Sequence, residues 1–210
     1  AEGFADVART FRSLRKLKMT ALFLVAFWCY IDGVDTIIRM AVDYGTALGF
    51  PSESLIVALL ITQFVAFPAA LAYNSFGKKI GHKKAILIAI GGYALVSAIG
   101  FFMTNVVQFY ILACIIGLFQ GGIQALSRSY FTRFVPSGHE AQFFGFYNML
   151  GKFAAIIGPA LMGIVTLVSG SHRAGILSLI ILFAAGGILL YKVDEERGIR
   201  ETKEFAELSE

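Results

Sequence analysis

The sequence predicts an all-α membrane protein of six transmembrane helices, with both termini on the cytoplasmic side. Three observations carry that prediction. Hydrophobic residues make up 57% of the 210-residue chain and charged residues only 15%, against about 45–50% and about 25% in soluble domains. The apolar residues fall into six runs, each long enough to cross about 30 Å of hydrocarbon at about 1.5 Å per residue. Basic residues cluster in every second connection, as the positive-inside rule requires.

The runs lie near residues 19–41, 54–74, 85–104, 106–127, 143–168 and 174–192. They are apolar on every side, which suits lipid better than a one-sided soluble core. The first carries three charges and is the weakest of the six. Residues 1–18 read as a cytoplasmic amphipathic linker helix. Phe4, Val7, Ala8, Phe11 and Leu14 recur at helical spacing, and Arg9, Arg12, Arg15, Lys16 and Lys18 enrich the rest. Such a helix lies on a membrane surface or packs on protein, and the pattern fits both. Residues 193–210 are polar and read as a cytoplasmic tail.

The charges set the topology. Lys78, Lys79, Lys83 and Lys84 lie between spans two and three, and Arg128 and Arg133 between spans four and five. Lys192, Arg197, Arg200 and Lys203 follow span six. All share a side with the basic residues of the N-terminal linker, while the opposite connections hold only Arg173. The side rich in Lys and Arg is then cytoplasmic. This distribution accounts for the net charge of +4 without a nucleic-acid partner.

Enzyme chemistry is not expected. Cys29 and Cys114 fall inside apolar runs and form no disulfide framework or CxxC pair. His82, His139 and His172 are scattered without metal-ligand spacing. The stretch GFYNMLGK, residues 145–152, faintly resembles a phosphate-binding loop. It has five residues between its glycines and Phe153 where Ser or Thr is needed. No nucleophile–His–acid arrangement, cofactor motif or metal site is apparent.

Small and breaking residues mark the helix contacts. Gly117 and Gly121 form a GxxxG, which permits close helix approach. Pro68 and Pro159 each remove a backbone donor inside spans two and five and are expected to kink them.

The polar groups inside the spans are the candidates for function. Asp32, Asp35 and Arg39 are spaced i, i+3 and i+7 and share one helix face, with Asp35 and Arg39 able to pair. Asp32 falls about 20 Å along span one, past the middle, and Gly33 beside it offers a place for the helix to break. Three readings stand: Asp32 and Asp35 lie on a solute pathway, or Asp35 and Arg39 neutralise each other and only position the helix end, or span one ends near Asp32 and the charges are interfacial. Lys152 lies near the middle of span five with Asn148 one turn below. A mid-membrane Lys needs a cavity, an anion or a carboxylate partner; a substrate, whose carboxylate it could meet, or a residue outside this chain would serve, and function is favoured over a structural pair. Gln120 and Gln124, at i and i+4 in span four, line a cavity or hydrogen-bond between helices. Gln63 in span two reads as packing.

Three stretches now form a recognisable pattern: DGVDTIIRMAVDYG, SFGKKIGHKKA and GLFQGGIQALSRSYFTRFVPSGHEAQFFGFYNMLGKFAAIIGP. The chain resembles the C-terminal six-helix half of a major facilitator superfamily transporter. More closely, it is similar to the vacuole-effluxer-like family of autophagy-related amino-acid exporters. The resemblance implies spans seven to twelve of a twelve-helix protein, with 3+3 inverted repeats nested in each half. It implies secondary transport of a small polar solute by alternating access, with amino-acid efflux the suggested activity. It puts Asp32, Asp35, Gln120 and Gln124 beside a central cavity, with Asp32 or Asp35 carrying a coupled proton. It also implies a cytoplasmic gating loop at Lys78, Gly81, His82 and Lys83. Lys78 stands where the superfamily's loop signature often has an acid, which speaks against the usual charge relay there.

The implied partners are membrane lipid, a small-molecule substrate, and an N-terminal six-helix half or a second copy of the chain. Placement is multi-pass, in the plasma (inner) membrane if the source is bacterial. Rival readings are a six-helix scaffold, a homodimeric half-transporter, or a lipid or drug exporter.

Overall fold

The computed structural model describes residues 13–208, and helices and short turns account for them, with no strand among the described residues. The linker helix expected over residues 1–18 falls mostly outside that range. Six helical segments are long and apolar enough to span a membrane: Lys18–Ala47, Ser52–Ile80, His82–Phe102, Val106–Phe134, Glu140–Ser169 and His172–Lys192. Their number is the one that the sequence predicts. Most extend further at their ends, because polar residues continue a helix past the apolar stretch that a hydropathy reading detects.

Helix α1 (Lys18–Ala47) is one unbroken helix. Asp32 is therefore the fifteenth of its 30 residues, at the middle rather than the outer end. The helix does not break at Gly33. A side chain there would strike the Phe183 ring, whose Cε1 is 2.8 Å from the Cβ position. Gly33 thus serves close approach between spans one and six.

Helix α2 (Ser52–Ile80) stays helical through Pro68. It is joined to α3 (His82–Phe102) by Gly81 alone, whose φ of +93° suits a residue without Cβ. Helix α4 (Val106–Phe131) starts at Asn105, whose side chain accepts the Gln108 N–H. It presses on α2 through the GxxxG. A Cβ on Gly117 would lie 2.7 Å from the Thr62 carbonyl oxygen, and one on Gly121 would lie 3.0 Å from that of Ala66. The small-residue motif therefore lets two backbones touch.

Span five is broken. Helix α5 (Glu140–Phe153) ends, Ala154–Ile156 turn, and α6 (Ile157–Ser169) resumes. Pro159 explains the position. In the first turn of α6 its missing N–H costs nothing, while its ring excludes a continuous helix at the carbonyl four residues back, that of Ala155. Span six divides more gently into α7 (His172–Ser178) and α8 (Ile180–Lys192) around Leu179.

The stretch read as a polar tail contains a further helix, α9 (Glu195–Glu207), capped by the Asp194 side chain on the Arg197 N–H. It packs under α1 and the 3-10 turn Thr132–Phe134 that ends span four. Both ends of the described chain thus meet at one end of the bundle. Phe23, Phe131, Phe134 and Tyr130 stack against one another above them, with ring centroids 4.9–5.8 Å apart. Such pairs contribute about 0.5–1.5 kcal/mol each beyond their area, which matters where lipid removes the hydrophobic incentive for helices to associate.

Candidate functional site

Between spans one, four and five the bundle opens into a cleft of about 360 Å³. Phe27, Ile31 and Asp35 face it from α1, Gln124, Ala125 and Arg128 from α4, and Tyr147 and Gly151 from α5. Beside it, one buried hydrogen bond joins spans one and four. Ser127 Oγ donates to the Ile123 carbonyl at 2.6 Å. Its single proton is thereby used, so the Tyr30 hydroxyl donates to Ser127 Oγ, also at 2.6 Å. Tyr30 is fully buried, and this bond fixes the spacing of α1 and α4 beside the cleft.

The three charges of span one separate by role. Asp32 is 1% exposed and accepts the Gly158 N–H with both carboxylate oxygens, at 3.0 and 3.1 Å. It caps the first turn of α6, where the N-cap position is held by Ile156, a side chain that cannot accept a hydrogen bond. Thr36 donates back to the Asp32 carbonyl at 2.6 Å. Gly158 is required there, because a Cβ would collide with Thr36 Oγ1. Asp35 is half-buried and faces the cleft. Arg39 is exposed, one turn on. The two form no ion pair among the described residues.

Asn148 and Lys152 lie on the exposed flank of α5 beside Gly151. Lys152 occupies the last turn of that half-helix, just before the break, where free carbonyls favour a cation. Neither lines the cleft. Gln124 does, whereas the Gln120 side-chain oxygen is buried without a hydrogen-bond partner.

Of the loop residues, Lys78 is exposed at the end of α2. His82 Nε2 lies 3.2 Å from Ser129 Oγ, tying spans three and four. Lys83 Nζ donates to the carbonyls of Tyr191 and Val193 at 2.8 and 2.7 Å, so it caps the end of span six. No cluster of metal-ligating side chains occurs among the described residues.

The residue that sequence reasoning missed is Arg128. It was counted only among the charges that orient the chain. Its position four residues beyond Gln124, and eight beyond Gln120, was the signal that it shares their stripe.

Comparison with known proteins agrees with this architecture. Residues 1–203 match the family described as vacuole effluxer Atg22 like. An uncharacterized MFS-type transporter, YxiO of Bacillus subtilis (strain 168), is 42% identical over 193 residues, covering 92% of this chain and 45% of that protein. Autophagy-related protein 22 of Coccidioides immitis is 31% identical over 225 residues, covering 99% of this chain and 37% of that protein. Its namesake in Yarrowia lipolytica is 29% identical over 211 residues, covering 96% and 36%. The chain spans less than half the length of these relatives. A match across nearly the whole chain, on six helices able to span a membrane, places this protein in the vacuole effluxer Atg22-like family.

Proposed function

We propose that the chain is a six-helix unit of a secondary transporter that moves a small polar solute, with amino-acid efflux the favoured activity. The observation that carries this reading is the cleft. A 360 Å³ opening with Asp35, Gln124 and Arg128 on its walls offers water-sized space and charge inside a bundle otherwise built for lipid.

The unit works by alternating access, rocking against a second six-helix unit across the cleft. The second unit is an N-terminal half or another copy of this chain. The break in span five supports such motion, since α5 and α6 are joined by three turn residues and held by one side-chain cap. The basic end, where α9 closes the bundle, is cytoplasmic by the positive-inside rule.

Asp35 carries the coupled proton in this scheme. It faces the cleft, where water can reach it, whereas Asp32 is enclosed and committed to Gly158. Gln124 holds the solute beside it. Arg39, Asn148 and Lys152 flank its route, Asp32 and Gln120 set the helices that bound it, and the loop of Lys78, Gly81, His82 and Lys83 moves with the gate.

The test is uptake by proteoliposomes holding the intact protein, with a panel of labelled amino acids and with or without a pH gradient. Accumulation of at least one amino acid, increased by the gradient, is the expected result. Absence of flux for the whole panel sinks the reading.

A further inference from the structure

We propose that Arg128 is the residue that binds the substrate's carboxylate, held for that role by the ring of Phe144; this rests on the amino-acid reading above. The expectation from sequence gave the role to Lys152. The geometry favours Arg128 on three counts.

First, Arg128 lines the cleft together with Asp35, while Lys152 does not. The cleft therefore has an acid on α1 and a guanidinium on α4, with Gln124 on the same helix as the latter. A solute with a cationic amine and a carboxylate would meet an opposite charge at each end. The remaining wall, Phe27, Ile31 and Tyr147, suits an apolar side chain.

Second, the guanidinium is aimed but unspent. Its central carbon lies 5.5 Å from the centroid of the Phe144 ring on α5, a distance at which a ring face attracts a cation. No carboxylate pairs with it among the described residues. A cation–π contact engages the face of the guanidinium and leaves the edge N–H groups free. Those N–H groups form the fork that matches a carboxylate with two parallel hydrogen bonds.

Third, Arg128 stands six residues from the end of the span at Phe134. A charge needed only for orientation would sit at that end, as Arg133 does, one residue before Phe134 and paired with Glu195. Phe144 also belongs to α5, the half of span five that precedes the break. Movement of α5 would shift the ring and with it the guanidinium, so capture of the carboxylate is coupled to the helix break.

The experiment compares L-phenylalanine with L-phenylalaninamide, which keeps the amine and side chain but lacks the carboxylate. Binding to the purified intact protein is measured by calorimetry, and flux in proteoliposomes. Arg128→Gln is expected to weaken L-phenylalanine binding by about 10- to 100-fold, the loss of a charge-assisted pair. The amide, bound weakly by the wild type, is expected to be unaffected, so discrimination between the two probes disappears. Arg128→Lys keeps the charge without the fork and is expected to recover part of it. Phe144→Leu is expected to raise KM for the acid only. Equal binding of L-phenylalanine by wild type and Arg128→Gln overturns the assignment and marks Arg128 as an interfacial charge. So does loss of discrimination in Lys152→Gln with Arg128→Gln unchanged. If the wild type moves other amino acids but ignores L-phenylalanine, the same comparison on a transported one and its amide decides. If it moves none of the panel, the parent reading fails and this inference with it.

Discussion

The carboxylate of Asp32 and the backbone N–H of Gly158 meet at 3.0 and 3.1 Å, 126 residues apart in the chain, inside the membrane-spanning bundle. This one contact answers two needs. A buried acid needs donors, and a helix that restarts inside the membrane needs an acceptor for its first N–H groups. Span one supplies the acid and span five the restart. The positive end of the α6 dipole adds to the attraction.

Removing the carboxylate is expected to loosen span five. Asp32→Ala leaves the Gly158 N–H without a partner in apolar surroundings, at a cost of about 1.5–3 kcal/mol. Asp32→Asn keeps one acceptor oxygen and is expected to lose less. Thermal unfolding in detergent checks both. If either variant melts like the wild type yet fails to transport, Asp32 is a pathway residue and the capping role is wrong.

The two kinds of glycine in the spans predict opposite outcomes. Gly117→Ala would drive a methyl to 2.7 Å from the Thr62 carbonyl, a backbone atom that cannot swing aside. Separating α2 from α4 is expected to cost about 1–3 kcal/mol. Gly91→Ala points into open space and is expected to be neutral or to stabilise α3 by up to about 1 kcal/mol, since Ala is the better helix former. Melting temperatures that move together for the two variants would discard the close-contact account.

The six spans were legible because lipid imposes one simple demand, an apolar run of sufficient length. The break in span five was legible in part, since Pro159 announced a disturbance but not whether the helix would bend or stop. What sequence cannot display is the partner of a polar group. Asp32 stood out as an anomaly, and its meaning depended on a glycine amide that carries no side-chain signal. Helix α9 was hidden by charge. EERGIRETKEFAE has only Ile199, Phe205 and Ala206 as apolar anchors, and it docks because Gly198 lets it approach the Phe134 ring closely. The place of Arg128 in the cleft wall was concealed because the residue was already accounted for as one more orienting charge.

Asp35→Asn removes the only acid among the described residues that line the cleft. A permanently neutral side chain there mimics the protonated state. The protein is then expected to exchange solute down its gradient while losing the response to a pH gradient. Counterflow and gradient-driven uptake measured side by side separate these. Continued concentrative uptake driven by pH in the variant would move the coupling site elsewhere.

The end of the bundle where α9 docks is held by caps reaching from one helix to another, and these are expected to outweigh the ion pair that joins α9 to the end of span four. The Glu201 carboxylate accepts the Met19 N–H at 2.9 Å, at the start of α1, where no local side chain caps the helix. Lys83 caps the end of α8 through two carbonyls and lies 5.5 Å from the Tyr191 ring. The Arg133–Glu195 pair, by contrast, has side chains 44% and 32% exposed, and pairs in that setting contribute about 0.2–1 kcal/mol. Lys83→Met retains the aliphatic stem but leaves both carbonyls unpaired. It is expected to cost about 1–2 kcal/mol and to speed amide exchange across residues 195–207. Glu195→Gln is expected to change exchange there little. The reverse order, with Glu195→Gln releasing α9 and Lys83→Met leaving it protected, would show that the surface pair and not the caps secures this end.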